Sequence, residues 1–143
     1  MGHVRAEVEI DAPAERVFDI LTDLAVYSEW NPFTPRVESS LLPGDPVHLH
    51  VRLLGRRLSH RVEIVSANER PSKLCWGMQM GPRFVLRAER CQTLTPVGER
   101  RTRYVNEDRI DGWLAPVVMA FFGPAMQRGF EEVALALKKR AEA

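Results

Sequence analysis

The last part of the chain, Ala115–Ala143, constrains the fold most, because it reads as one long amphipathic helix that follows a series of short strands. Apolar residues recur there at spacings of three and four, which places them along one stripe of the helix. The stripe consists of Met119, Phe122, Met126, Phe130, Val133 and Leu137. The pattern predicts a sheet that packs around this stripe, and such a sheet can enclose a cavity where the packing is loose.

Gly123 and Pro124 lie in the middle of the predicted helix. A proline inside a helix removes a backbone donor and clashes with the preceding turn, so we expect a kink or break near Gly123. The bulky segment Met119–Phe122 would then act as a gate at one end of the cavity. Met126 and the residues that follow it would form the cavity wall.

Alternating apolar and polar residues fill most of the chain before this helix, as is typical of strands with one buried face. The first strand is clear at Val4–Ile10, and helical spacing of apolar residues from Val17 to Leu24 predicts a short helix after it. Short turns join the later strands. We therefore predict an α+β fold, with a curved antiparallel sheet of about seven strands wrapped around the C-terminal helix and short helices between the first two strands.

Length and charge limit the classes of function. The 143 residues fit one domain, 1–143, with enough apolar surface for a core of its own. Twenty basic residues against 19 acidic ones give a net charge of +1, which provides no general attraction for nucleic acid or an anionic membrane. No apolar run approaches the roughly 18 residues of a membrane span, and the N-terminus lacks a signal-peptide core. We expect a cytoplasmic protein without an integral membrane segment.

The two cysteines, Cys75 and Cys91, are too few for a disulfide framework and lack the spacing of a zinc site. They have the same parity on neighbouring predicted strands, which would place them opposite each other. A cytosolic setting nevertheless favours reduced thiols. His48 and His50 share a strand face without a third ligand, so no metal site is predicted.

Polar residues interrupt the apolar faces of two neighbouring predicted strands. The turn between these strands sets a register in which Arg90 and Asp108 are directly opposed or one diagonal apart. A buried charge is costly alone, so a pair that is further hydrogen-bonded by Gln92 and Asn106 would be the tolerable arrangement. Such a cluster would orient a carboxylate, phenol or keto group. Alternatively, the strand ends or bulges early and leaves Arg90 in water at the rim.

Large apolar side chains recur on the predicted inner faces near this polar cluster. Aromatic residues and methionines are common in apolar ligand pockets, although the same pattern is also that of an ordinary packed core. The candidate ligand-binding residues of this kind are Trp76, Met78, Met80, Phe84, Leu86, Phe122 and Met126.

His60 is a further candidate for proton transfer, because histidine titrates near neutral pH. It shares parity with Leu58, Val62 and Ile64, so unbroken alternation would point it inward. No Ser or Cys nucleophile with a recognisable surround accompanies it. A structural histidine with satisfied hydrogen bonds is the alternative to a catalytic one.

The order of these elements and several short segments resemble the helix-grip fold of the START-related (SRPBCC) superfamily, which includes polyketide cyclase/dehydrase-like and lipid-transport proteins. The resemblance covers essentially the whole chain and is carried by the segments Asp11–Phe18, Trp30–Phe33, Leu74–Gly77, Gly129–Phe130 and Ala136–Glu142. These are packing and turn positions, so they indicate the fold and leave the function open.

The resemblance implies that a small hydrophobic or amphipathic molecule, lipid-like or polyketide-like, binds between the sheet and the long helix without a cofactor. The alternative is a polyketide aromatase/cyclase-like enzyme in the same cavity, in which Asp108 or His60 moves protons and Arg90 polarises a carbonyl. A third class, a protein-binding module that uses the outer sheet face or the basic end of the helix, has no specific support in the sequence.

Overall fold

The computed structural model describes residues 2–55, 57–82 and 84–143. Seven strands and two α-helices, with one 3₁₀ helix, follow one another along the chain. In order they are β1 (Gly2–Ile10), α1 (Ala14–Thr22), the 3₁₀ helix (Leu24–Glu29), β2 (Arg36–Ser39), β3 (Pro46–Leu54), β4 (Arg57–Glu69), β5 (Lys73–Met80), β6 (Leu86–Gly98), β7 (Arg101–Asp111) and α2 (Ala115–Glu142).

The seven strands form one sheet in the order β1-β7-β6-β5-β4-β3-β2. Every neighbouring pair is antiparallel. Strands β2 to β7 therefore follow one another as a meander, and β1 closes the far side against β7. The two short helices lie between β1 and β2 in the chain, and α2 packs on the inner face of the sheet. The predicted α+β helix-grip architecture is confirmed.

The core lies between the inner face of the sheet and the apolar stripe of α2. Phe130, Val133 and Leu137 on α2 are almost completely buried. From the sheet, Ile10 and Leu94 are equally buried, as the alternation of their strands predicts. Burial of these large side chains supplies most of the driving force that holds α2 against the sheet.

Helix α2 is continuous from Ala115 to Glu142, so of the predicted kink or break near Gly123 the break is wrong and the kink stays a prediction. Pro124 lies inside the helix and is exposed to solvent. The carbonyl of Ala120, which would have accepted the missing N–H bond, belongs to a residue that is also exposed. Water can therefore replace the lost hydrogen bond, and packing of the following turns on the sheet keeps the helix in one piece.

Strand β4 presents the opposite face to the one predicted. Leu58, Val62 and Ile64 are about half exposed, at 46%, 51% and 48%. The alternation shifts at a bulge between Val65 and Ala67, so the even-numbered residues before the bulge point outward.

Cys75 and Cys91 are bonded to each other, which corrects the expectation of reduced thiols. The two residues are directly opposed in the β5–β6 register, and their Cα atoms are 4.2 Å apart. The predicted parity was therefore right. The expectation of free thiols rested on an assumed compartment and not on geometry.

Among residues 2–55, 57–82 and 84–143, no helix combines the length and the hydropathy that a membrane crossing requires.

Candidate functional site

A polar cluster lies on the inner faces of β6 and β7, in the middle of an otherwise apolar core. Arg90 is directly opposite Asp108, and Gln92 is directly opposite Asn106, which confirms the predicted register. β6 continues to Gly98 and Arg90 is only 8% exposed, so the alternative in which Arg90 lies at a rim in water is wrong. Four polar side chains are thus brought together inside the protein.

Arg90 contacts a hydrogen-bond acceptor and two aromatic rings. Its Nε–H donates to Asn106 Oδ1 at 2.9 Å. Its guanidinium carbon lies 4.7 Å from the centre of the Phe130 ring and 5.6 Å from that of Trp76, within the range of cation–π attraction. Among the described residues Arg90 donates to Asn106 and not to the predicted partner, Asp108.

Asp108 is buried, and its Oδ1 atom has no hydrogen-bond partner in the described part of the chain. Burial, together with the nearby carboxyl group of Glu63, raises the pKa of Asp108 to about 7, although Arg90 and Arg61 oppose the shift. Asp108 therefore changes protonation near neutral pH. It can accept a hydrogen bond when ionised and donate one when neutral.

Gln92 and Asn106 are neighbours of these two charged residues on β6 and β7, and Asn106 accepts the hydrogen bond from Arg90. The Tyr104 hydroxyl donates to Gln92 Oε1 at 2.6 Å, and burial raises the pKa of Tyr104 far above its ordinary value. The Tyr104 hydroxyl therefore stays protonated and can donate its hydrogen bond. Asn106 Nδ2 is buried without a partner in the described chain, so it is a spare donor beside Asp108.

A cavity of about 40 Å³ adjoins Arg90 and Asp108. That volume holds a few atoms of a ligand or a small number of water molecules. Its lining combines apolar side chains from β3, β5 and α2 with four ionisable groups. The lining residues are Phe33, Leu49, Val51, Leu53, Arg61, Glu63, Trp76, Arg90, Asp108, Met126 and Phe130.

Arg61 and Glu63 are functional candidates that the sequence pattern missed. They pair with Leu49 and Val47 of β3, whose side chains are buried on the inner face, so they point inward as well. Burial raises the pKa of the Glu63 carboxyl, against the effect of Arg61. The alternation on β3 could have indicated which residues of β4 point inward. The register between β3 and β4 shifts between Val51 and Leu54, however, and the sequence does not reveal this shift.

Of the eleven candidate ligand-binding residues, Trp76, Arg90, Asp108 and Met126 line the cavity. Gln92 and Asn106 are buried next to these residues but are not part of the cavity lining. The structure places Leu86 in the core away from the cavity and leaves Met78 and Phe122 partly exposed outside its lining.

Met80 and Phe84 do not belong to the cavity, which corrects their predicted place in its lining. Their side chains are 51% and 68% exposed. Met80 is the last residue of β5, and Phe84 precedes β6 in the connecting turn, so neither is covered by α2. The alternation of a strand predicts which face of the sheet these residues lie on. It does not predict how far α2 covers that face.

His60 lies outside the core, which corrects its predicted inward direction. It is directly opposite His50 in the register, and its ring stacks on those of His48 and His50 at centre distances of 5.4 and 4.9 Å. A nitrogen of His60 lies 3.1 Å from His48 Nδ1. In the part of the chain that the structure describes, no group of three or more side chains is arranged to hold a metal ion.

Gly129 on α2 allows the ring of Phe33 to lie directly against the helix. A Cβ atom built on Gly129 would stand 2.2 Å from Phe33 Cδ1, which is a severe overlap. The Phe33 ring also meets Phe130 edge to face, at a centre distance of 6.0 Å. Because Phe33 lines the cavity, the absence of a side chain at Gly129 sets the position of one cavity wall.

We predict that Gly129→Ala lowers the free energy of unfolding by about 1–3 kcal/mol, because the new methyl group must displace Phe33. Gly123→Ala is the matched control in the same helix. There the Cβ would meet the flexible end of Met119 at 3.1 Å, and the higher helix propensity of alanine offsets the contact. Urea unfolding of both variants measures the difference. Equal stabilities would show that Phe33 is not held by Gly129.

Comparison with known proteins places this geometry in a family. The model for polyketide cyclase / dehydrase and lipid transport proteins matches residues 1–142. A search of curated protein sequences finds no significant match.

Several solved structures share the fold. The Zhui aromatase/cyclase from Streptomyces sp. R1128 superposes with a TM-score of 0.78 at 18% identity, over 99% of this chain and 93% of that one. A protein from Thermus thermophilus gives a TM-score of 0.73 at 21% identity, over 98% and 97% of the two chains. A START superfamily protein from Mycobacterium smegmatis gives 0.71 at 21% identity, over 98% and 97%.

At these identities the structural likeness shows the fold, and the family is shown by the match that spans the chain. This match agrees with the α2-covered sheet described above. The chain belongs to the polyketide cyclase / dehydrase and lipid transport family.

Proposed function

We propose that the protein binds a small hydrophobic or amphipathic molecule between the sheet and α2, with the molecule's polar group held by Asp108 and Arg90. The observation that carries the proposal is the buried Oδ1 atom of Asp108, which has no partner among the described residues and belongs to a residue that lines the cavity. A buried polar atom without a partner is costly, and a ligand hydroxyl or carbonyl group would remove that cost.

The ligand suggested by this site has an apolar ring or chain and one hydroxyl or keto group. Trp76, Met126 and Phe130 supply the apolar walls. A hydroxyl group would donate to ionised Asp108, and a carbonyl would accept from the neutral form or from Arg90. The charged groups give no attraction for a purely apolar molecule. The polar group of the ligand is therefore expected to set the orientation of the ligand in the cavity.

The cavity is smaller than a site that encloses a whole small molecule. Small-molecule sites usually measure about 300–1,000 Å³, compared with about 40 Å³ here. Binding of a complete lipid-like or polyketide-like molecule therefore requires side chains of the lining to move. The side chains of Phe33 and Met126 are the candidates, because both line the cavity and can rotate without breaking a hydrogen bond.

A thermal-shift screen with fatty acids, sterols and aromatic polyketides tests the proposal. A molecule that binds the folded state raises the melting temperature in a concentration-dependent manner. Asp108→Asn is expected to weaken binding of hydroxylated or keto compounds by about 5- to 10-fold. The same change should leave the affinity for an apolar compound of the same size within about twofold. Equal affinities of wild type and variant for all compounds would contradict the proposed role of Asp108.

An aromatase/cyclase-like reaction is the second candidate, and the pKa of Asp108 favours it. With a pKa of about 7, this carboxyl group can both take up and release a proton at neutral pH. Arg90 lines the same cavity, which supports a role in polarising a carbonyl, while His60 is outside the lining. Turnover of a poly-keto precursor that is lost in Asp108→Asn would support the enzyme. Saturable binding without turnover would support the carrier.

A further inference from the structure

A surface groove of about 310 Å³ lies directly outside the cavity. It runs between the middle of α2, the end of β3 and the segment that follows the 3₁₀ helix. The backbone N–H of Arg52 donates to the carbonyl of Phe33 at 2.9 Å, which ties two of these segments together. The groove is lined by Pro32, Phe33, Arg52, Leu53, Gly55, Ala125, Arg128, Gly129 and Glu132.

The groove and the cavity share two lining residues, Phe33 and Leu53. The groove alone has the volume of a small-molecule site, whereas the cavity holds only a few atoms. The Phe33 ring lines both spaces and packs against Gly129 and the edge of the Phe130 ring. A ligand that occupies both spaces would have to displace this ring.

The charges in the groove indicate which end of a ligand it would take. Arg52 and Arg128 both line it, and in the described part of the chain neither side chain forms an ion pair or donates a hydrogen bond. One acidic residue, Glu132, lies with them, so the described lining of the groove carries an excess of one positive charge. Two unpaired guanidinium groups beside apolar walls fit a carboxylate, sulfonate or phosphate on an apolar body.

We propose that this groove is the outer half of the binding site and that it takes the anionic end of an amphipathic ligand, with the apolar body passing Phe33 toward Asp108. The proposal rests on the proposed function, because it extends the same cavity. The expected ligand therefore has two separated polar ends. Its anionic group binds Arg52 and Arg128, and its hydroxyl or keto group binds at Asp108.

Two fluorescent probes with the same ring system test the charge preference. 1-Anilinonaphthalene-8-sulfonate carries a sulfonate, and N-phenyl-1-naphthylamine is its neutral counterpart. At low ionic strength, where exposed charges are least screened, the double variant R52Q/R128Q is expected to raise the Kd of the sulfonate probe about 10-fold or more. The Kd of the neutral probe should change less than about twofold.

The double variant R87Q/R100Q is the control, because it removes the same charge from exposed positions outside the groove. It should leave the Kd of both probes unchanged. If the neutral probe binds and R52Q/R128Q has no larger effect on the sulfonate probe than the control has, the groove proposal is wrong while the cavity proposal stands. If R52Q/R128Q weakens both probes equally, the groove is only an apolar surface. Failure of both probes to bind would instead count against the cavity itself.

Discussion

Replacing Arg90 by alanine is expected to lower the free energy of unfolding by about 3–5 kcal/mol. The change leaves Asn106 Oδ1, which now accepts from Arg90, buried without that donor. It also opens a space between the rings of Trp76 and Phe130, on which the guanidinium group lies. Domains of this size are stable by only about 5–15 kcal/mol, so the variant would lose a large part of its stability.

Urea unfolding of Arg90→Ala and Arg87→Ala measures this effect within one strand. Arg87 lies three residues earlier on β6 and is exposed, so its truncation should change stability by less than about 0.5 kcal/mol. Arg90→Met keeps the apolar stem and is expected to recover part of the loss. A loss at Arg90 as small as that at Arg87 would mean that the buried cluster does not contribute to the fold.

Wild-type protein is expected to lose about 2–3 kcal/mol of stability between pH 5 and pH 8 that Asp108→Asn does not lose. The pKa of Asp108 is raised from 3.8 to about 7 in the folded protein, first of all by burial. Between these values the folded state holds a proton that the unfolded state has released, so stability falls as pH rises. The loss is complete above the folded pKa, and an asparagine has no such dependence.

The groups that face Asp108 contribute to the size of this effect. Glu63 and Glu89 raise the pKa of Asp108, and Arg90 and Arg61 lower it. Asp111→Asn is the control, because Asp111 is an exposed carboxylate at the end of the same strand. Free energies of unfolding at pH 5, 6, 7 and 8 should run parallel for wild type and the control. Parallel curves for wild type and Asp108→Asn would show that Asp108 is not desolvated in the folded protein.

Strand alternation predicted the fold and the centre of the site well where the register is regular. On β6 and β7 a single turn connects two long strands, and the register has no shift between Arg87 and Pro96. The residues that point inward on one strand therefore determine which residues point inward on the other. For this reason the opposition of Arg90 and Asp108 could be predicted from the residues between them.

The same method failed on β4, where two irregularities flank the segment. The β3–β4 register shifts between Val51 and Leu54, and the β4–β5 register shifts between Val65 and Ala67. A one-residue shift moves every side chain to the other face. His60 was therefore assigned to the core, and Glu63 was overlooked.

Two other differences arise from properties that local patterns do not contain. The Cys75–Cys91 bond depends on redox conditions as well as on the register that places the two residues together. The continuity of α2 through Pro124 depends on which side of the helix faces water. In both cases the residue type alone suggested free thiols or a broken helix. The surroundings of the residue in the fold gave a disulfide and a continuous helix.

Methionine methyl groups report directly whether a ligand enters the cavity beside Asp108. Met126 lines the cavity, whereas Met80 is 51% exposed at the end of β5. In a spectrum of protein labelled with ¹³C at the methionine methyl groups, titration with a keto-containing aromatic compound should shift the Met126 signal and leave that of Met80 unchanged. Intermolecular contacts between the compound and the Met126 methyl group should accompany the shift. A saturable shift at Met80 alone, with Met126 unmoved, would contradict binding in the cavity.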